Sequence, residues 1–87
     1  MESTDKIRVM IIDDEFPARK LLSDYVSKVP NLELSGSYGD AIEATAALQN
    51  TQVDLIFLDI QMPEMSGLDF IKSMSVKPMF IFTTAYS

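Results

Sequence analysis

Three short stretches of this chain place oxygen-bearing side chains where an apolar run stops. Asp13-Asp14-Glu15 follows Ile7-Arg8-Val9-Met10-Ile11-Ile12, Asp59 closes Leu55-Ile56-Phe57-Leu58, and Thr84 follows Met79-Phe80-Ile81-Phe82-Thr83. A loop carboxylate is commonplace, but one at the exit of a core strand is held in position. Carboxylates gathered at one point repel each other unless a cation stands among them. The chain contains no His and no Cys, and an all-oxygen ligand set favours a hard ion, Mg²⁺ or Mn²⁺, over zinc. Mg²⁺ keeps several waters, so two carboxylates and a carbonyl suffice to hold it. Such an ion can bridge to a phosphoryl oxygen and neutralise charge as phosphate transfers. A carboxylate beside it can act as nucleophile and form an aspartyl phosphate, and a Thr hydroxyl nearby could hydrogen-bond the phosphoryl group.

Each stretch alone has a plainer reading. Asp13-Asp14-Glu15 are acidic residues suited to a helix N-terminus, worth a few tenths of a kcal/mol each. Asp59 is a turn residue, Thr84 a β-branched strand residue, and Met62-Pro63 through Gly67 a loop. Coincidence carries the sharper reading, and it depends on how the elements are arranged.

Ile7–Ile12 is short, β-branched and, but for Arg8, apolar on both faces, as expected of a strand covered on two sides. Pro17 suits the first turn of a following helix, in which Ala18, Leu21, Leu22, Tyr25, Val26 and Val29 form an apolar stripe at helical spacing. Pro30-Asn31 ends that helix, and Leu32-Glu33-Leu34 alternates like a short edge strand. Asp40 with Glu43 three residues on predicts a capping box that opens a helix to about Gln49. Residues 53–60 form a buried strand. A short helix from Gly67 to about Met74 should turn Leu68 and Ile71 inward, and Met79–Thr83 is another apolar strand. This β-α-β-α-β-α-β alternation means parallel strands joined by right-handed crossovers in an open α/β sheet. Ligands of such sheets bind beyond the carboxyl ends of the strands, at the switch point of the winding. Asp13, Asp14, Asp59 and Thr84 should therefore converge on one rim.

The 87 residues make one small domain with a thin margin of stability. Thirteen acidic against seven basic residues give a net charge of −6. With no basic cluster to offset it, that charge argues against direct nucleic-acid binding. Absence of cysteine excludes disulfides and thiolate metal sites and accords with a cytoplasmic protein. The first residues, Met1-Glu2-Ser3-Thr4-Asp5-Lys6, lack the regions of a signal peptide. No apolar run approaches the ~20 residues that span a bilayer, so no membrane partner is expected.

These residues together strongly resemble the receiver domain of two-component response regulators. The match runs through Ile7-Arg8-Val9, Asp13-Asp14-Glu15, Asp54 to Asp59, Met62-Pro63, Gly67 and Thr84-Ala85. Asp13 to Arg19 and Ile81 to Tyr86 look most like the subgroup whose receivers precede a LytTR-type DNA-binding domain. The resemblance implies a flavodoxin-like sheet of order 2-1-3-4-5, an order the family itself exemplifies. It makes Asp59 the phosphoacceptor, Asp14 the direct metal ligand and Asp13 a ligand acting mainly through water. It also assigns Gln61 as a backbone-carbonyl ligand to Mg²⁺ and Thr84 as the switch hydroxyl. The donor would be a phosphohistidine on a sensor histidine kinase, and an output domain would act downstream. The chain would transfer phosphate only onto its own Asp59, which is a signalling role rather than that of an enzyme.

The family's domain continues with a fourth helix, a fifth strand carrying an invariant lysine, and a fifth helix, so residues 1–87 are expected to form an incomplete receiver. Lys72, on a helix, and Lys77, before the fourth strand, cannot replace that lysine. Met79–Thr83 would then be an apolar edge that invites self-association. Two other classes remain open. A phosphohydrolase would need a second catalytic acid where Gln61 stands. A pure interaction module would keep the fold without phosphorylation.

Overall fold

The computed structural model describes residues 6–60, 67–72, 74 and 78–83. They form β1 (Ile7–Ile12), α1 (Phe16–Ser27), β2 (Leu32–Tyr38), α2 (Ala41–Leu48), β3 (Leu55–Asp59), α3 (Gly67–Lys72) and β4 (Met79–Thr83) in chain order. All strands run parallel in one sheet of order β2-β1-β3-β4. This is the flavodoxin-like arrangement, with the winding reversing between β1 and β3.

β1 is central, and its last four residues, Val9 to Ile12, are fully buried. Alternation splits the core into two layers. Met10, Ile12, Ile56 and Leu58 face α2 and α3 and pack with Ala41, Ala44 and Phe70. Val9, Ile11 and Leu55 face α1 and pack with Val26, Leu22 and Phe57. Each layer hides strand backbone that water cannot reach, so the ladder bonds are retained.

Local chemistry sets the helix ends. Asp40 caps α2, its carboxylate accepting from the Glu43 backbone N–H at 2.8 Å. This is the capping Asp expected from the sequence. Pro17 stands at the start of α1, where Glu15 takes extended dihedrals without a side-chain cap. At the opposite end of the sheet Asp54 ties three strands together. Its carboxylate accepts from Arg8 N at 2.9 Å, its N–H donates to the Arg8 carbonyl, and its own carbonyl accepts from Met79 N.

Some expectations need correction. β2 runs seven residues rather than three. Its alternation breaks where the pairing steps from Val9↔Leu34 to Met10↔Gly36, leaving Ser35 as the extra residue of a bulge. The strand expected at 53–60 is regular only over Leu55–Asp59. In α1 only part of the stripe is covered: Val26 is buried, while Leu21, Tyr25 and Val29 are exposed. A helical stripe is buried only where a second layer reaches it, and α1 lies over β1 and β2. In α3 the fully buried residue among those described is Phe70, in place of the expected Ile71, which packs at the margin. The side chain of Leu68 lies outside the described residues.

Candidate metal centre

The register explains why the acids meet. β1 and β3 pair Ile11↔Phe57 and Ile12↔Leu58. One step further, Asp13 and Asp59 stand opposite each other across neighbouring strands, about 4.8 Å apart along the ladder direction. Asp13 is in phase with Val9 and Ile11, and Asp59 with Leu55 and Phe57, so both project on the α1 side of the sheet. Asp14 follows in the turn before α1. One carboxylate oxygen from each of Asp13, Asp14 and Asp59 lies within 4.8 Å of the others. The convergence expected at the rim is present.

The environments differ. Asp13 is 1% exposed and Asp59 5%, whereas Asp14 faces solvent. Burying a carboxylate is costly unless it is paired or hydrogen-bonded. Asp13 meets part of that cost locally: its Oδ1 accepts from the Glu15 N–H at 2.9 Å, and its own N–H extends the ladder to the Tyr38 carbonyl at 3.1 Å. Among the described residues no Lys or Arg forms an ion pair with Asp13 or Asp14.

The donor set fits a hard divalent cation. An octahedral ion with bonds of about 2.1 Å has ligand oxygens ~3 Å apart in cis and ~4.2 Å apart in trans. Oxygens already within 4.8 Å reach those separations by small rotations. A cation there also removes the repulsion among three negative groups that hydrophobic strands have brought together.

Two further residues belong to the neighbourhood. Thr83 is the register partner of Asp59, and its hydroxyl oxygen is buried with no hydrogen-bond partner among the described residues. Thr83 immediately precedes Thr84, the hydroxyl expected from the sequence, and only its register with Asp59 marks it. Arg19 donates from Nη1 to the Asp13 carbonyl oxygen at 2.7 Å. An arginine one turn into a helix carries no sequence signal for that contact. Thr84, Gln61, the Met62-Pro63 turn and Lys77 lie outside the described residues. Lys72 is the last residue of α3 and is exposed.

The comparisons agree with this geometry. A family model described as response regulator receiver domain matches residues 9–87. The chain is 39% identical over 82 residues to an uncharacterised response regulatory protein of Yersinia pestis, covering 92% of this chain and 34% of that protein. Protein MrkE of Klebsiella pneumoniae is 36% identical over 87 residues, with 97% of this chain and 32% of MrkE covered. The crystal structure of the MrkE response regulatory domain superposes with a TM-score of 0.79 at 35% identity, over 92% of this chain and 68% of that one. The response regulator domain of Thermotoga maritima CheB gives a TM-score of 0.81 at 30% identity, over 91% of this chain and 60% of that one. The chain thus spans about a third of the length of these two curated relatives.

Proposed function

The chain belongs to the response regulator receiver domain family, and from that premise we propose that it accepts a phosphoryl group on Asp59. The observation that carries the proposal is the meeting of Asp13, Asp14 and Asp59 oxygens within 4.8 Å at the switch point of the sheet. A carboxylate oxygen of Asp59 attacks phosphorus of a phosphohistidine on a sensor kinase. The O–P bond forms as the N–P bond breaks, and the histidine nitrogen leaves with the electron pair and takes up a proton. The product is a mixed anhydride, an aspartyl phosphate, on this chain alone. No other molecule is turned over, so the role is that of a signalling module.

Asp13 and Asp59 are buried and fixed by the strands that end in them, so the nucleophile is oriented before the donor arrives. Asp14, exposed beside them, is open to solvent and to an incoming ligand. Asp13, Asp14, Asp59 and the Gln61 carbonyl would hold Mg²⁺ or Mn²⁺, which would neutralise charge on the phosphoryl oxygens. Thr84 is assigned the hydroxyl that contacts the transferred group.

The finer reading places the chain in the subgroup that precedes a LytTR-type output domain, acting in the cytoplasm on transcription. Its support is Asp13-Asp14-Glu15-Phe16-Pro17-Ala18-Arg19. No helix among the described residues is long and apolar enough to cross a membrane. Self-association through β4 is a further part of the proposal. Met79, Ile81 and Phe82 are exposed on that strand, and among the described strands β4 pairs only with β3.

Intact mass spectrometry with Mg²⁺ and a small acyl phosphate donor tests the central claim. Modification of the wild-type chain should be slow, since the family's lysine lies on a strand beyond residue 87, but any phosphoryl group gained should be labile to hydroxylamine and absent from Asp59→Asn. Equal modification of the two would remove Asp59 from this role.

A further inference from the structure

Beside the acidic cluster lies a guanidinium that makes no ion pair among the described residues. Arg19 is half-buried on α1, with its Nη1 bonded to the Asp13 carbonyl oxygen at 2.7 Å and its guanidinium carbon 5.6 Å from the centroid of the Phe16 ring. The β2–α2 junction closes over it. A Cβ built on Gly39 would stand 3.1 Å from Arg19 Nη1, tighter than ordinary contact. Gly39 does not use a positive φ, so what a side chain there would disturb is the Arg19 guanidinium, which would have to give by a few tenths of an ångström.

The carbonyl that Arg19 holds belongs to the peptide joining Asp13 to Asp14. Asp13 has other anchors, through its N–H to Tyr38 and its Oδ1 from Glu15. Asp14 has none: among the described residues no group donates to its carboxylate. The plane of that peptide fixes the backbone from which the Asp14 side chain projects, and only its own torsions lie between that backbone and the carboxylate. A charge-assisted bond to the carbonyl is about twice as strong as a neutral one. By bonding a carbonyl and not a carboxylate, Arg19 leaves the acidic oxygens available to a ligand.

We infer that Arg19 is a positioning residue for the cation site, locking the Asp13–Asp14 peptide while Gly39 leaves the space it occupies. Arg19 touches neither the cation nor the phosphoryl group. The inference rests on the reading of Asp13, Asp14 and Asp59 as cation ligands and adds what aims the most exposed of them. Lysine cannot reproduce the arrangement, because it lacks the planar group that both stacks on Phe16 and donates in a fixed direction.

Calorimetric titration with Mn²⁺ decides the matter, using wild type, Asp14→Asn, Arg19→Met, Arg19→Lys and Gly39→Ala, with circular dichroism to check folding. Arg19→Met should weaken Mn²⁺ binding roughly 10- to 100-fold, the range for partners that orient ligands. Gly39→Ala should weaken it too although every donor is retained, and Arg19→Lys should recover little. The Arg19→Met/Gly39→Ala double variant should bind no more weakly than Arg19→Met, since both changes disturb one contact. A purely structural Arg19 would lower the melting temperature and leave Mn²⁺ affinity unchanged, which overturns the inference. If Arg19→Met does not fold, Gly39→Ala decides by itself: weakened binding supports the inference and unchanged binding overturns it. If Asp14→Asn binds like wild type, the cation-site reading fails first; if it alone loses binding, only the role of Arg19 fails.

Discussion

Replacing Asp13 by asparagine should stabilise the metal-free protein, an unusual result for a substitution at a residue only 1% exposed. Asparagine is nearly isosteric, and its Oδ1 can still accept from the Glu15 N–H now bonded at 2.9 Å. What it removes is a charge within 4.8 Å of the buried Asp59 carboxylate. Two like charges 4.8 Å apart repel by about 3.5 kcal/mol at an effective dielectric constant of 20. Exposed Asp14 adds only a screened remainder. Against this, the hydrogen bond from Glu15 loses its charged acceptor, a loss of about 1 kcal/mol. The net gain is therefore about 2.5 kcal/mol, and for a domain of this size each kcal/mol moves Tm by about 4–8 °C. Urea and thermal denaturation in EDTA should show the variant as the more stable protein. Mg²⁺ at about 1,000 times its Kd should reverse the order, because it then adds about 4.1 kcal/mol to wild type and less to a variant short of one ligand charge. A variant that is less stable without metal, or that gains as much from Mg²⁺ as wild type, would refute the account of the cluster as repulsive and cation-dependent.

Phe70→Ala should cost about 3–5 kcal/mol by urea denaturation, since Phe70 is fully buried and joins α3 to the sheet. That is a large share of the ~4–13 kcal/mol expected for a chain of this length. Asp40→Ala should cost about 1 kcal/mol through loss of the cap on the Glu43 N–H, and Asp40→Asn should restore most of it. Gly36→Ala should destabilise the bulged strand, because its Cβ would lie 2.5 Å from Tyr38 Oη and force the ring aside; a thermal melt reads this directly. Ile81→Lys, at an exposed position on the β4 edge, should shift sedimentation towards the monomer, and an unchanged distribution would count against association through that strand.

The order of elements could be read from the chain because each rests on local chemistry. Val9–Ile12 has no polar face and so is covered on both sides, Pro17 marks the entrance of α1, and Asp40 can satisfy the Glu43 N–H from its own side chain. Alternation of strand and helix then leaves parallel pairing as the simple solution, and parallel pairing sends Asp13, Asp14 and Asp59 to one rim. Residue types without His or Cys were enough to suggest the class of ion.

Other features depend on which elements pack together, and no local pattern records that. The apolar stripe of α1 has one chemistry along its length, yet Val26 is buried and Leu21 is exposed, because burial requires a second layer and not merely an apolar side chain. Ser35 bulges out of β2 only because β1 beside it sets the register. Phe70 is the inward residue of α3 because of how that short helix is rotated on the sheet. The separation of the acids, their unequal burial, the position of Thr83 beside Asp59, and the reach of Arg19 to the Asp13 carbonyl past Gly39 are all distances across the chain. Such distances arise when strands and helices dock, and in this protein they decide how three ordinary aspartates become a single site.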